Sequence, residues 1–208
     1  MTIHLYKGDL PAGLDLGRLV AMDTETLGLR LGRDRLCVVQ LSSGDGHAHL
    51  VQIPKPGPDG APPQAPNLVK LLTDPQVTKL LHFARFDLAI LQRTFGVITA
   101  PVYCTKLASR LVRTYTDRHG LKDLVRELLN IELSKQQQSS DWGAPELSAD
   151  QQAYAAADVA HLHALKAKLD VMLARESRTE LAAACFAFLP VRAALDLGGW
   201  QDEDIFAH

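Results

Sequence analysis

Asp23 and Glu25 stand two residues apart in AMDTETLGL, at the end of an otherwise apolar stretch that reads as a strand. Alternate side chains of a strand share a face, so two carboxylates point the same way where the chain leaves the core. Left unpaired they would repel, and one would take up a proton; a divalent cation removes that repulsion. Asp87 stands in LLHFARFDLAIL, just after a second apolar run and in the first turn of a helix, where an acid also meets the helix dipole favourably. Tyr154 and Asp158 lie four apart in AYAAADVAHL, on one face of a helix, and the three alanines between them leave room for something bulky. An aspartate with apolar neighbours inside a helix needs a partner. Taken singly, each place has a structural explanation: surface acids at a strand end, an acid on a helix dipole, a phenol satisfying a buried carboxylate. Taken together, four carboxylates and one phenol make a set of hard oxygen ligands suited to Mg²⁺ or Mn²⁺ rather than zinc. Two such ions about 4 Å apart can activate a water, hold a phosphodiester and stabilise the leaving oxygen.

A second signal is charge. The chain carries 22 basic and 24 acidic residues, net −2. Between Cys104 and Lys122 stand Lys106, Arg110, Arg113, Arg118 and Lys122 against Asp117 alone, so five bases and one acid make that window +4 and leave the rest −6. A compact basic patch on an acidic body suits a small phosphate-bearing ligand better than a long duplex, which calls for a large basic face. A solvated helix face would give the same pattern. The pairs His47/His49 and His161/His163 have no cysteine or further histidine at metal spacing, so zinc is not expected there.

The elements that must position these groups read as follows. Ile3 to Tyr6, Arg18 to Thr26, Arg35 to Ser42 and His47 to Ile53 read as strands, together an antiparallel meander. Pro54 to Pro66, with six prolines and two glycines, is a loop, and Asn67 can cap a short helix ending near Thr73. Val77 to Phe83 reads as another strand and Arg85 to Phe95 as a helix. Thr105 to Arg113 and Leu121 to Asn130 are helical patterns, and Ser134 to Ser140 is a polar loop. Ser148 and Gln151 form a capping box that opens a long helix from Ala149 to about Arg175; a last apolar helix, Thr179 to Leu197, is interrupted by Pro190. The expected fold is α/β, a mixed five-to-six-stranded sheet flanked by helices with a C-terminal helical extension.

At 208 residues, 47% hydrophobic and 22% charged, the chain has ordinary globular composition, which excludes a disordered or collagen-like polymer. Its longest apolar run, Leu181 to Val191, is eleven residues and includes a proline, so no membrane span is expected. The N-terminus shows no basic segment followed by an apolar one, and Cys37, Cys104 and Cys185 are widely spaced, which together point to a cytoplasmic location with reduced thiols. The residues from Leu181 to Ile205 include Phe186, Phe188, Leu189, Val191, Leu195, Leu197 and Trp200, more apolar surface than one helix face buries. Residues 179–208 are therefore expected to serve self-association.

The constellation resembles the DEDD-type 3′-to-5′ exonucleases of the ribonuclease D group, on a ribonuclease H-like fold. DTET matches the first motif through Asp23 and Glu25, HFARFD the second through Asp87, and YAAAD the third through Tyr154 and Asp158. A tyrosine four residues before the aspartate marks the tyrosine subtype; the histidine subtype would place histidine at position 153, which is Ala153. Within that family the chain resembles the short stand-alone members called nano-RNase C, over RDRLCVVQLSSGDG, TKLASRLVRTYTDRHGLKDL, SKQQQSSDW and the terminal DIFAH. The resemblance implies one exonuclease domain over residues 1–208, without the added helical domains by which ribonuclease D grips tRNA-like substrates. It implies cleavage of very short oligoribonucleotides, dinucleotides above all, to mononucleotides, including the linear dinucleotide left by cyclic-di-GMP breakdown. It implies two Mg²⁺ or Mn²⁺ ions, one on Asp23, Glu25 and Asp158, a second on Asp23 and Asp87, with Tyr154 bonded to the attacking water. Candidate substrate contacts are Thr24, Leu27, Leu29 as a wedge between bases, His82, Lys106, Arg110, Arg113 and Trp142. It also implies a ring of eight subunits built from dimers. A general exonuclease on longer RNA or DNA, or a ribonuclease D-type trimming enzyme, remains open on the residues alone.

Overall fold

A computed structural model describes residues 1–57, 59–133 and 140–208. The polar loop expected at Ser134 to Ser140 lies outside the described residues except for Ser140, as does Pro58 of the proline-rich loop. Six strands, β1 (Thr2–Lys7), β2 (Leu19–Thr26), β3 (Leu36–Ser42), β4 (His47–Gln52), β5 (Thr78–Leu81) and β6 (Val102–Cys104), form one sheet in the order β1-β4-β3-β2-β5-β6. The helices are α1 (Pro66–Thr73), α2 (Ala84–Phe95), α3 (Thr105–Val112), α4 (Leu121–Leu129), α5 (Ala149–Ala160), α6 (Leu162–Arg175) and α7 (Thr179–Leu197). The mixed sheet flanked by helices agrees with the expected ribonuclease H-like architecture.

The antiparallel meander holds for β2, β3 and β4. It does not extend to β1, which pairs parallel with β4 at the sheet edge, Thr2 opposite His47 and His4 opposite His49. β2, β5 and β6 are mutually parallel, so only β3 runs against the rest. β6 has three residues, all buried, and is too short to show a period in the sequence. β3 is buried along its whole length, as a central strand covered on both faces must be.

Two helix expectations are corrected. The stretch from Ala149 to Arg175 is two helices, broken at His161, whose φ of −109° and ψ of −2° leave the regular helix. The break lets α5 lie on β2, β3 and β4 while α6 turns to pack on α3 and α4. The apolar pattern runs through it without a capping residue, so local sequence does not reveal it. Conversely, α7 passes through Pro190 as one helix, with α2 packed along it. The expected capping box is present, Ser148 N donating to Gln151 Oε1 at 2.9 Å and Gln151 N to Ser148 Oγ at 3.2 Å. The start of α1 is capped from a distance instead of by Asn67: Asp9 accepts from the backbone N–H groups of Asn67 and Leu68 at 2.9 and 2.8 Å. All three cysteines are free thiols.

Candidate active site

β2 delivers Asp23 and Glu25, α5 delivers Tyr154 and Asp158, and α2 delivers Asp87. Because α5 lies across β2 and β3, its carboxylate meets the strand end directly. Asp23, Glu25 and Asp158 each offer a carboxylate oxygen, and these lie within 4.8 Å of one another. Asp87 stands beside this trio rather than inside it: its Oδ1 accepts a 2.6 Å bond from Thr24 Oγ1, and Thr24 points to the opposite strand face from Asp23 and Glu25. Tyr154, one turn before Asp158 on the same face of α5, places its phenol beside that carboxylate. Gln40, opposite Asp23 in the antiparallel register, donates from Nε2 to Asp23 Oδ2 at 3.2 Å.

Burial and mutual repulsion act on every acid of the group. Asp23 is pushed well above the usual carboxylate range, first by burial, then by Asp87, Asp158 and Glu25. Glu25 is raised to about 9 by burial and by Asp158 and Asp87. Asp87 and Asp158 each rise to about 7, mainly through burial, with the bond from Thr24 and the nearby Tyr154 hydroxyl holding them down in part. Among the described residues none of the four forms an ion pair. Four partly desolvated carboxylates without a countercharge are the donor set that a hard divalent cation fits.

The flanking candidates divide. Leu27 and Leu29 are exposed on the loop after β2. That loop is fixed from α2, because Arg93 donates to the carbonyls of Leu31, Gly32 and Asp34. Leu27 also lies close against Gly143, where an added Cβ would meet Leu27 Cδ2 at 2.6 Å. Lys106 stands 4.0 Å from the centre of the Phe83 ring, and Arg110 is exposed one turn further along α3. Both line a cavity of about 530 Å³ between α3 and α7. His82 Nδ1 pairs with Thr105 Oγ1 at 2.9 Å, and burial lowers its imidazole to about 3, so it is neutral at pH 7.

Arg113 is corrected: it is fully buried, its guanidinium bonded to Glu127, the Arg118 carbonyl and Ser109 Oγ, so it presents no surface to a substrate phosphate. Trp142 is likewise no surface contact. It is buried with Cys37, Val38, Leu50, Leu147 and Ala155, its ring 6.0 Å from that of Tyr154, where it backs the phenol. Three of the four HxH histidines bond within the fold, His47 to His4, His49 to Tyr6 and His163 to the Leu19 carbonyl. Two residues escape the reading from sequence. Gln40 is a lone polar residue in CVVQL, a signal visible only once its register opposite Asp23 is known, and Arg93 gives no signal in helix periodicity.

A strand end bearing two carboxylates, completed by a helix bearing tyrosine and aspartate, defines a metal-dependent nuclease class, and the comparisons agree. A family model described as 3′-5′ exonuclease matches residues 11–174, and the chain belongs to that family. More particularly, the chain is similar over its full length to two structures of NrnC from Brucella melitensis. One, with bound Mg²⁺, is 55% identical with a TM-score of 0.93, each chain covered completely. The other, bound to pGG, is 56% identical with a TM-score of 0.94, covering 100% of this chain and 99% of that one. Ribonuclease D of Gluconacetobacter diazotrophicus is 39% identical over 82% of this chain. The chain spans about two-fifths of the length of the curated ribonucleases D it matches. These likenesses agree with the resemblance carried by DTET, HFARFD and YAAAD.

Proposed function

We propose that this chain is a 3′-to-5′ exoribonuclease that hydrolyses very short oligoribonucleotides, chiefly 5′-phosphorylated dinucleotides, to mononucleotides. The observation that carries this reading is the meeting of Asp23, Glu25 and Asp158 within 4.8 Å, with Asp87 and Tyr154 beside them. Full-length likeness to a structure bound to pGG supports the short substrate. In this reading Asp23, Glu25 and Asp158 hold one divalent cation, and Asp23 and Asp87 serve a second. Cations there supply Lewis acidity to a water and to the phosphodiester oxygens. Tyr154 orients the attacking water through its hydroxyl; in the cation-free site burial and the neighbouring acids push its phenol above the ordinary tyrosine range. Leu29, exposed on a tethered loop, wedges between the two bases, with Leu27 beside it. Lys106 and Arg110 take the 5′ phosphate through charge-assisted bonds.

A closed assembly would wall off long folded RNA. Exposed Phe188, Val191, Trp200 and Phe206 on α7 and the tail are apolar surface for a second copy, and a ring of eight built from dimers is the expected assembly. Among the described residues no helix is long and apolar enough to cross a membrane, and a cytoplasmic site of action suits the substrate.

The deciding experiment incubates 5′-labelled RNA of two to twenty nucleotides with Mg²⁺, Mn²⁺ or EDTA. Rapid loss of the dinucleotide with cation, slow loss of longer chains and none in EDTA is the expected result. Equal rates at all lengths would leave a general exonuclease. Light scattering at micromolar concentration tests the assembly, a mass near the monomer's 22.7 kDa excluding it.

A further inference from the structure

Gln40 occupies the middle of the most buried strand of the protein. It is 0% exposed, and Val38, Val39 and Leu41 around it are equally buried. A polar amide in such a place costs free energy unless every hydrogen-bonding group is met. Here only half is met. Nε2 reaches Asp23 Oδ2, while Oε1 has no hydrogen-bond partner among the described residues. An apolar side chain of similar volume would remove that cost, so core stability does not account for glutamine at this position.

What the amide does supply is direction. On a cation Asp23 is ionised and only accepts, so the amide nitrogen is the end that serves it. A neighbouring acid follows the same pattern: Asp87 accepts from one side-chain donor, Thr24. Both donors reach between elements, Thr24 on β2 to Asp87 on α2 and Gln40 on β3 across the sheet to Asp23 on β2. Being fully buried, it cannot touch substrate or the reacting atoms.

We propose that Gln40 is a positioning residue that fixes the rotamer of Asp23 so that its free oxygen joins those of Glu25 and Asp158 on a divalent cation. This inference rests on the reading of the carboxylate group as a cation site. Partners of this kind around a ligating carboxylate hold it in the binding geometry, and their loss weakens metal affinity by about 10–100-fold.

The test uses the full chain and two variants of similar volume, Gln40→Met and Gln40→Leu. Mn²⁺ and Mg²⁺ affinity is measured by calorimetry, and the denaturation midpoint in EDTA by urea titration. The expected result is cation affinity lower by about 10–100-fold in both variants, with a midpoint equal to or above the parent's. A core role would move the midpoint down, and a fall in midpoint that accompanies the lost affinity overturns the proposal. Unchanged affinity in either folded variant overturns it as well, while leaving the cation site standing. A parent chain that binds neither ion at millimolar concentration overturns the site reading itself, and the role of Gln40 with it.

Discussion

Thr24 Oγ1 donates to Asp87 Oδ1 at 2.6 Å across 63 residues of chain, tying the end of β2 to the first turn of α2. The bond has a consequence for the site. Residue 24 alternates with the two acids of the strand, so its hydroxyl faces away from them, and through it the strand controls a fourth carboxylate from its other side. Thr24→Val removes the donor while keeping the shape. The expected cost is about 10–100-fold in activity with cation, alongside a stability loss of only about 1 kcal/mol. Asp23→Ala, Glu25→Ala, Asp87→Ala and Asp158→Ala should each nearly abolish turnover, and pairs of them should be scarcely worse than one, because they act as a unit. Normal hydrolysis by any single variant removes that residue from the site.

Tyr154→Phe keeps the ring packed against Trp142 and removes only the hydroxyl. Turnover of a labelled dinucleotide should fall roughly 10²–10⁴-fold with little change in its Kd. Weaker binding with undiminished turnover would show that Tyr154 is a substrate contact instead.

The basic window separates into residues that face outward and one that does not. Arg110→Ala should lower the preference for a 5′-phosphorylated over an unphosphorylated dinucleotide by about 1.5–3 kcal/mol and leave the fold untouched. Arg113→Ala should do the reverse, since it takes the buried partner from Glu127 and opens a hole under α3. It should destabilise the chain by about 3–5 kcal/mol, read by chemical denaturation. A stable Arg113→Ala protein that has lost phosphate selectivity would contradict both assignments.

Lys79 sits fully buried in β5, its Nζ donating to the carbonyls of Asp74 and Ala100 at 2.9 and 2.6 Å. Burial lowers its ammonium from 10.5 to about 8. Below pH 8 the folded and unfolded chains both hold the proton, and the lysine contributes no pH dependence. Between about pH 8 and 10.5 the unfolded chain holds the proton and the folded one has lost it, so this group makes stability rise with pH. The rise is up to about 3 kcal/mol. Urea midpoints of parent and Lys79→Met across that window should diverge in the parent's favour as pH increases; parallel curves would show that the ammonium is not desolvated in the fold.

Much of the site was legible because its signals are local. Two acids alternating on a strand, an acid in a first helical turn, and tyrosine and aspartate one turn apart all report their direction from the backbone period alone. The capping box at Ser148 and the meander of β2, β3 and β4 belong to the same class. Thr24 entered only as a substrate contact, since nothing nearby in sequence reveals that its hydroxyl meets Asp87.

By itself, then, the sequence determined which residues are candidates for the chemistry, the order of the elements that bear them and the family to which the chain belongs. Tertiary structure decided the rest. It set β1 parallel beside β4, split the helix at His161 and gave Asp9 the cap of α1, all through contacts between segments far apart in the chain. It also sorted the basic window, burying Arg113 on Glu127 and leaving Arg110 in solvent, because a count of charges carries no information about which side of a helix meets the core. It set Gln40 against Asp23 for the same reason: strand register is a property of two paired segments, and the pairing exists only in the folded sheet.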